Sequence, residues 1–173
     1  FYLLLYLTLL VSLFFQENTT GGAEYDFGII SKEIIIFSTD LKYALNNFHL
    51  LTTSHFPFYY IFLSFFYNDY FNFFVIKIIV LHLSLFLPLV FYKLLNLKFN
   101  YQSKYLLYIP GILFLSPSYR TAAVWAFNDN IALVFFSLSI LFFLKFSEEK
   151  KNKKKIIFIF LNILFLALAS YIR

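Results

Sequence analysis

Two apolar runs, 124–146 and 156–172, flank the string Glu148-Glu149-Lys150-Lys151-Asn152-Lys153-Lys154-Lys155, and a third apolar run occupies 71–92. A helix needs about 20 predominantly apolar residues to cross the hydrocarbon core of a bilayer, where a chain must satisfy every backbone hydrogen bond internally. Runs of this length joined by polar segments commit the chain to an all-α polytopic membrane fold. Composition agrees, with 61% hydrophobic, 24% aromatic and only 13% charged residues and a mean hydropathy of +0.77. A soluble domain of this size has too little interior to hide that much apolar surface. The abundance of Phe, Ile, Tyr, Asn and Lys is also what an AT-rich coding sequence produces, so the aromatic stripes are not read as stacking platforms for bases or sugars.

About five transmembrane helices are expected: 1–15, 71–92, 105–117, 124–146 and 156–172. The first is read as a truncated span rather than a signal peptide, because it shows neither a basic n-region nor a small-residue cleavage site. The chain carries no Met and stops at Tyr171-Ile172-Arg173 in or at the end of an apolar run, which reads as a fragment of a longer protein. The segment 105–117 is short and contains Pro110-Gly111, so it is tilted into surrounding protein, extended into the preceding basic connector, or re-entrant. Between the first two spans lies a long loop, 16–70. There Gly21-Gly22 supplies a turn, Ile29-Ile30 with Glu33-Ile34 has the spacing of a short amphipathic helix after Asp26, and Ser54 with Pro57 suits the start of an interfacial or re-entrant helix over 56–67. With no Cys there is no disulfide and no thiolate metal ligand, and the redox compartment stays open.

Cation counting orients the chain. Lys93, Lys98 and Lys104 precede the third span, and Lys145, Lys150, Lys151, Lys153, Lys154 and Lys155 join the last two, whereas the opposite connectors hold Lys32, Lys42 and Arg120. Positive charge gathers in cytoplasmic loops, so the Lys-rich connectors are cytoplasmic and loop 16–70, the Ser116–Arg120 turn and Arg173 lie on the other face. The formal charge of +5 is thereby accounted for by a membrane face rather than by nucleic acid.

That non-cytoplasmic face collects the candidate chemistry. Glu24 and Asp26 come from the long loop, Arg120 with Asn128-Asp129-Asn130 from the next connector, and Arg173 from the last helix end. Asp129 at the mouth of an apolar span is costly unless paired; it is a metal or phosphate-network residue, or a salt-bridge partner of Arg120, or a hydrated helix entrance. Arg120 presents a fork of donors suited to phosphate, although interfacial arginines also bind headgroups nonspecifically. Arg173 is a weaker version of the same, and His55 either donates to a phosphate or caps its helix. Asn18-Thr19-Thr20 fits a glycosylation sequon, a triplet common by chance. No Gly-rich phosphate loop, HExxH motif or Ser-His-Asp order is present, which argues against soluble nucleotide chemistry.

The order of these features resembles the membrane-embedded GT-C glycosyltransferases: a transmembrane helix, a long external loop with early acids, then Thr52-Thr53-Ser54-His55-Phe56-Pro57-Phe58-Tyr59-Tyr60 opening a short helix. The nearest branches are the dolichyl-phosphate-glucose-dependent alpha-1,2-glucosyltransferases and the bacterial mannosyl- and aminoarabinosyltransferase-like proteins. Ser116-Pro117 followed by Asn128-Asp129-Asn130 resembles their turn between the third and fourth helices. One departure is that their acids are often adjacent, whereas Tyr25 separates Glu24 from Asp26. The resemblance implies a transferase moving a sugar from a polyprenyl-phosphate donor to a lipid or glycan acceptor at the external face, with inversion. It implies Asp26, or Glu24, as general base, Arg120, His55 and Arg173 on the phosphate, and a divalent cation, Mg or Mn, held by Asp129 with Asp26 in those relatives that use one. The location would be a bacterial inner membrane or, in a eukaryote, the endoplasmic reticulum. The alternative is a non-enzymatic polytopic protein such as a lipid or polysaccharide transporter. It predicts polar residues along the middle of the spans, yet Ser84, Ser137, Ser139 and Asn162 are scattered.

Overall fold

The computed structural model describes residues 2–18, 21–51, 56–68, 70, 73–99 and 104–172, which form helices and their connections with no strand among them. Among the described residues, three stretches are long and apolar enough to cross a membrane: Phe74–Phe99, Asn128–Glu148 and Asn152–Ile172. The protein is an α-helical membrane protein, and three of the about five expected spans meet that length among the described residues. The other two apolar helices, Tyr2–Phe14 and Tyr105–Leu115, are shorter.

Helix α1 (Tyr2–Phe14) is followed by Gly21 and Gly22, both in the left-handed region at φ 72° and 70°, where a residue without Cβ is least strained. They turn the chain into α2 (Ala23–Thr39). This is a correction to the expected short helix after Asp26: α2 has 17 residues and takes Glu24 and Asp26 into its first turn, where the helix dipole favours carboxylates. Ala23, Phe27, Ile34 and Phe37 form its buried stripe at helical spacing. A short α3 (Leu41–Asn46) starts at Asp40, whose carboxylate accepts from the Tyr43 N–H at 2.8 Å. Helix α4 (Phe58–Ser64) begins directly after Pro57 and packs mainly on α2.

The expected span 71–92 is displaced toward the C-terminus. It is built from α5 (Phe74–Ser84) and α6 (Phe86–Phe99), so Lys93 and Lys98 lie on helix rather than in a connector. Pro88 stands in the first turn of α6 and cannot donate to the Ser84 carbonyl four residues back. The Tyr119 hydroxyl donates to that carbonyl instead, at 3.0 Å, so the join between α5 and α6 keeps its acceptor satisfied inside the apolar layer. Segment 104–115 is likewise corrected: two 3₁₀ turns, Lys104–Leu107 and Ile112–Leu115, surround a single-turn α7 (Tyr108–Gly111).

Residues expected as a turn after Ser116 instead form α8 (Pro117–Val124), with Ser116 capping it by accepting from the Tyr119 N–H at 3.4 Å and Pro117 at its first position. Ala126 at φ 55° separates α8 from α9 (Asn128–Glu148), so the fourth apolar run starts four residues later than 124. The last run starts earlier than 156, because α10 (Asn152–Ile172) takes in Lys153, Lys154 and Lys155.

Side-chain contacts give the helix directions. Helix α1 runs antiparallel to α5: Tyr6 meets His82 at 2.9 Å, and the Phe14 and Phe74 rings lie 6.3 Å apart. The Ile78 carbonyl can only accept, so His82 Nδ1 carries the proton and Nε2 accepts from Tyr6. Helices α9 and α10 form an antiparallel hairpin whose seam stacks Phe135 on Phe165 at 5.8 Å and Phe142 on Phe165 at 5.5 Å. Helix α6 runs parallel to α9, since Asn130 bonds Ser84 near the start of one and Lys145 shares a groove with Lys93 and Asn96 near the ends of both. Lysines far apart in sequence therefore collect at one end of the bundle. On α10 only Ala169 and Ile172 are buried, while Ile156, Phe160 and Ile163 are exposed, an arrangement that lipid covers and water would penalise.

Candidate functional site at the carboxylate-bearing end

The opposite end of the bundle is built around Arg120. Its Nε donates to Glu17 Oε1 at 2.9 Å and its Nη2 to Glu17 Oε2 at 2.5 Å, the paired geometry that a guanidinium fork and a carboxylate share. Nη1 donates to Thr8 Oγ1 and to the Phe114 carbonyl, both at 3.3 Å, and Nη2 also donates to Ser12 Oγ. Thr8 and Ser12 sit four residues apart on one face of α1 and turn their own protons to the Leu5 and Thr8 carbonyls, which leaves their oxygens free to accept. All five N–H donors of Arg120 are thus engaged by the protein. The Arg120 hydrogen bonds hold the Glu17 carboxyl below its ordinary range, and the same pairing raises Arg120.

Trp125 links this cluster to the long loop: its indole donates to the Glu17 carbonyl at 2.9 Å, and its ring meets Phe27 at 5.9 Å. Between those rings lies Lys77, with Nζ 3.9 Å from the Trp125 centroid and 4.5 Å from that of Phe27. Two aromatic faces hold one ammonium here, while no carboxylate among the described residues is within ion-pair distance of it. Glu24 is the carboxylate whose field reaches Lys77. Glu24 and Asp26 are themselves exposed on the first turn of α2.

Asp129 stands on the first turn of α9, exposed, at one end of a groove of about 670 Å³ between α9 and α10 that is lined by Leu133, Phe136, Leu166, Ala169 and Ser170. Small residues, Ala132 and Ala169, open the groove. Its flanking amides are structural: Asn128 Nδ2 donates to the Ile172 carbonyl at 2.6 Å, and Asn130 Nδ2 donates to the Tyr119 carbonyl at 2.9 Å and to Ser84 Oγ at 3.2 Å. They fasten α9 to α10, α8 and the α5–α6 join and leave the Asp129 carboxylate outside the network. Helix α4 closes on this corner. The buried Tyr59 hydroxyl donates to the Ala126 carbonyl at 2.8 Å, and the Phe56 ring meets Tyr171 at 4.9 Å. Burial pushes the Tyr59 phenol well above its ordinary range, with smaller contributions from Tyr60 and from the charge of Asp129.

The residues picked out from sequence therefore fall into two groups. Asp129 and the Phe56–Tyr60 part of the Pro57 element come together; Glu24 and Asp26 lie on the neighbouring helix start, joined to the Asp129 turn through the Phe27–Trp125 contact. Arg120 takes Glu17 as its salt-bridge partner rather than Asp129. His55 and Arg173, like Thr52, Thr53 and Ser54, lie outside the described residues. No three His, Cys, Asp or Glu side chains gather among the described residues. Comparison of the chain with protein-family models, with curated proteins and with solved structures finds no match. Nothing in the sequence sets Glu17 or Trp125 apart, and Lys77, near one end of the 71–92 run, reads there as a lysine whose stem snorkels; its aromatic cage comes from residues about 50 positions away on either side.

Proposed function

We propose that this chain belongs to an integral-membrane glycosyltransferase that moves a sugar from a polyprenyl-phosphate donor to a hydroxyl acceptor at the non-cytoplasmic face, with inversion. The observation that carries the reading is that Asp129 lines a groove between α9 and α10 at the end opposite Lys93 and Lys145, while Glu24, Asp26 and Asp129 form no ion pair among the described residues. Exposed and in helix first turns, these carboxylates are free to meet a substrate hydroxyl. Glu17 shows the contrast, since Arg120 ties it down.

In the proposed reaction Asp26 accepts the proton of the acceptor hydroxyl as that oxygen attacks the anomeric carbon. The bond from that carbon to the phosphate oxygen breaks, and the phosphate leaves with the electron pair. Developing charge on the leaving group needs a cation. Arg120 would have to abandon protein acceptors to supply it, so Lys77, whose ammonium is held by aromatic faces alone, takes that role. Asp129 faces the groove and orients the sugar or acceptor hydroxyls there. The mid-span polar groups support this reading over the transporter: Asn162 Nδ2 donates to Ser139 Oγ at 2.8 Å and to its carbonyl at 2.9 Å, and Ser84 is taken up by Asn130, so these groups fasten helices instead of lining a path. The test is transfer from a polyprenyl-phosphate sugar by the full-length protein in membranes. Asp26→Asn is expected to lower it about 10²–10⁴-fold, the usual worth of a positioned base, and Lys77→Gln to lower it as well; a wild-type rate for Asp26→Asn overturns the assignment.

A further inference from the structure

At the Lys-rich end, α6 and α9 enclose a groove of about 410 Å³ lined by Lys93, Asn96, Leu97, Leu141 and Lys145. We infer that this groove binds the headgroup of an anionic glycerophospholipid, a phosphate carrying free hydroxyls, in the membrane leaflet on that side. Three observations meet here, none of them used in the catalytic reading. Two lysines from different helices line one space, and neither has a carboxylate within ion-pair distance among the described residues. Of the neighbouring acids, Glu149 is occupied by the Lys150 and Lys151 N–H groups at 3.0 and 3.1 Å and by Lys154, and Glu148 lines a separate groove on the other side of Lys145, with Phe158 of α10, rather than the one shared with Lys93. Asn96 Oδ1 is buried with no hydrogen-bond partner, and rotation about its χ2 would offer it to a hydroxyl donor.

The placement selects a lipid over a free anion. The groove lies at the ends of two helices long enough to span a membrane, and Leu97 and Leu141 continue it into the packed apolar cluster of Val90, Leu94 and Leu141. Basic pockets between spans at that depth take headgroup phosphates. The orphan acceptor of Asn96 favours a glycerol headgroup over a bare phosphate ester, and the two lysines disfavour headgroups that bear an ammonium.

The experiment is native mass spectrometry of the full-length protein in detergent with added phosphatidylglycerol or phosphatidylcholine. Retention of phosphatidylglycerol is expected, falling roughly 30-fold in the pair Lys93→Gln and Lys145→Gln and staying at the wild-type level in Lys150→Gln with Lys151→Gln. Equal retention of both lipids, or equal losses in the two pairs, overturns the site. So does displacement by millimolar glycerol phosphate, which would mark a free-anion site. Lys145 also lies over the Phe142 and Phe158 rings at 5.5 and 5.9 Å, so if the pair fails to fold, the exposed Lys93→Gln alone decides, with a severalfold loss expected and no loss contradicting the assignment.

Discussion

Arg120 shows how counting donors changes the meaning of a residue. As a letter near a membrane boundary it reads as a phosphate ligand; with five donors engaged it is a bolt through α1, the chain after α1, and α8. Lysine would keep the charge but lose the fork and two of the donors. Arg120→Lys is therefore expected to destabilise the protein by about 1–3 kcal/mol, read by thermal unfolding in detergent; an unchanged midpoint would mean the bonds are not maintained. The pairing also gives a pH dependence. Because Glu17 is held below its ordinary value in the folded protein, its contribution is complete above the unfolded carboxyl value of about 4.3 and declines as pH falls from there through the folded value. Glu17→Gln should remove that acid-limb slope without altering stability trends between pH 6 and 8. The pair was not legible in sequence, since the partners are separated by 103 positions and Glu17 sits in a polar stretch where nothing distinguishes it from a solvated acid. Gly21-Gly22 was legible, because the demand for positive φ is local and names its residue.

At the scale of elements, the existence of the apolar helices followed from hydropathy, whereas their ends did not. Pro88 sits inside the Phe74–Phe99 stretch, where Tyr119 from another helix supplies the missing donor to the Ser84 carbonyl. Tyr119→Phe removes that donor while conserving the ring, and a cost of about 1–2 kcal/mol is expected for leaving the Ser84 carbonyl short of a partner in an apolar layer. No loss in unfolding midpoint would show that the join between α5 and α6 stands on packing alone. The turn at Ala126 was equally invisible, being a non-glycine residue at φ 55°. Glycine there would relieve about 1 kcal/mol of left-handed strain but uncover the burial of a methyl worth about 0.8 kcal/mol, so Ala126→Gly should be close to neutral in the same assay.

Over the whole molecule the charged side chains gather at the two ends of the bundle. Lys93 and Lys145 share one end of the bundle, and Glu17, Glu24, Asp26, Asp129, Lys77 and Arg120 belong to the other. Lys93 and Lys145 meet because α6 and α9 run parallel: α6 ends later and α9 starts later than the apolar runs suggest, yet both deliver these lysines to the same end. The candidate groups at the far end were only half legible, since carboxylates announce themselves in an apolar chain while their partners depend on tertiary packing. The absence of cysteine makes the central claim directly measurable. Single substitutions at exposed positions, Tyr25→Cys and Lys151→Cys, are labelled in sealed, oriented membranes with a thiol reagent that cannot cross them. The two residues are expected to react from opposite sides, position 25 from the non-cytoplasmic face; labelling of both from the same side would contradict the arrangement on which the proposed chemistry rests.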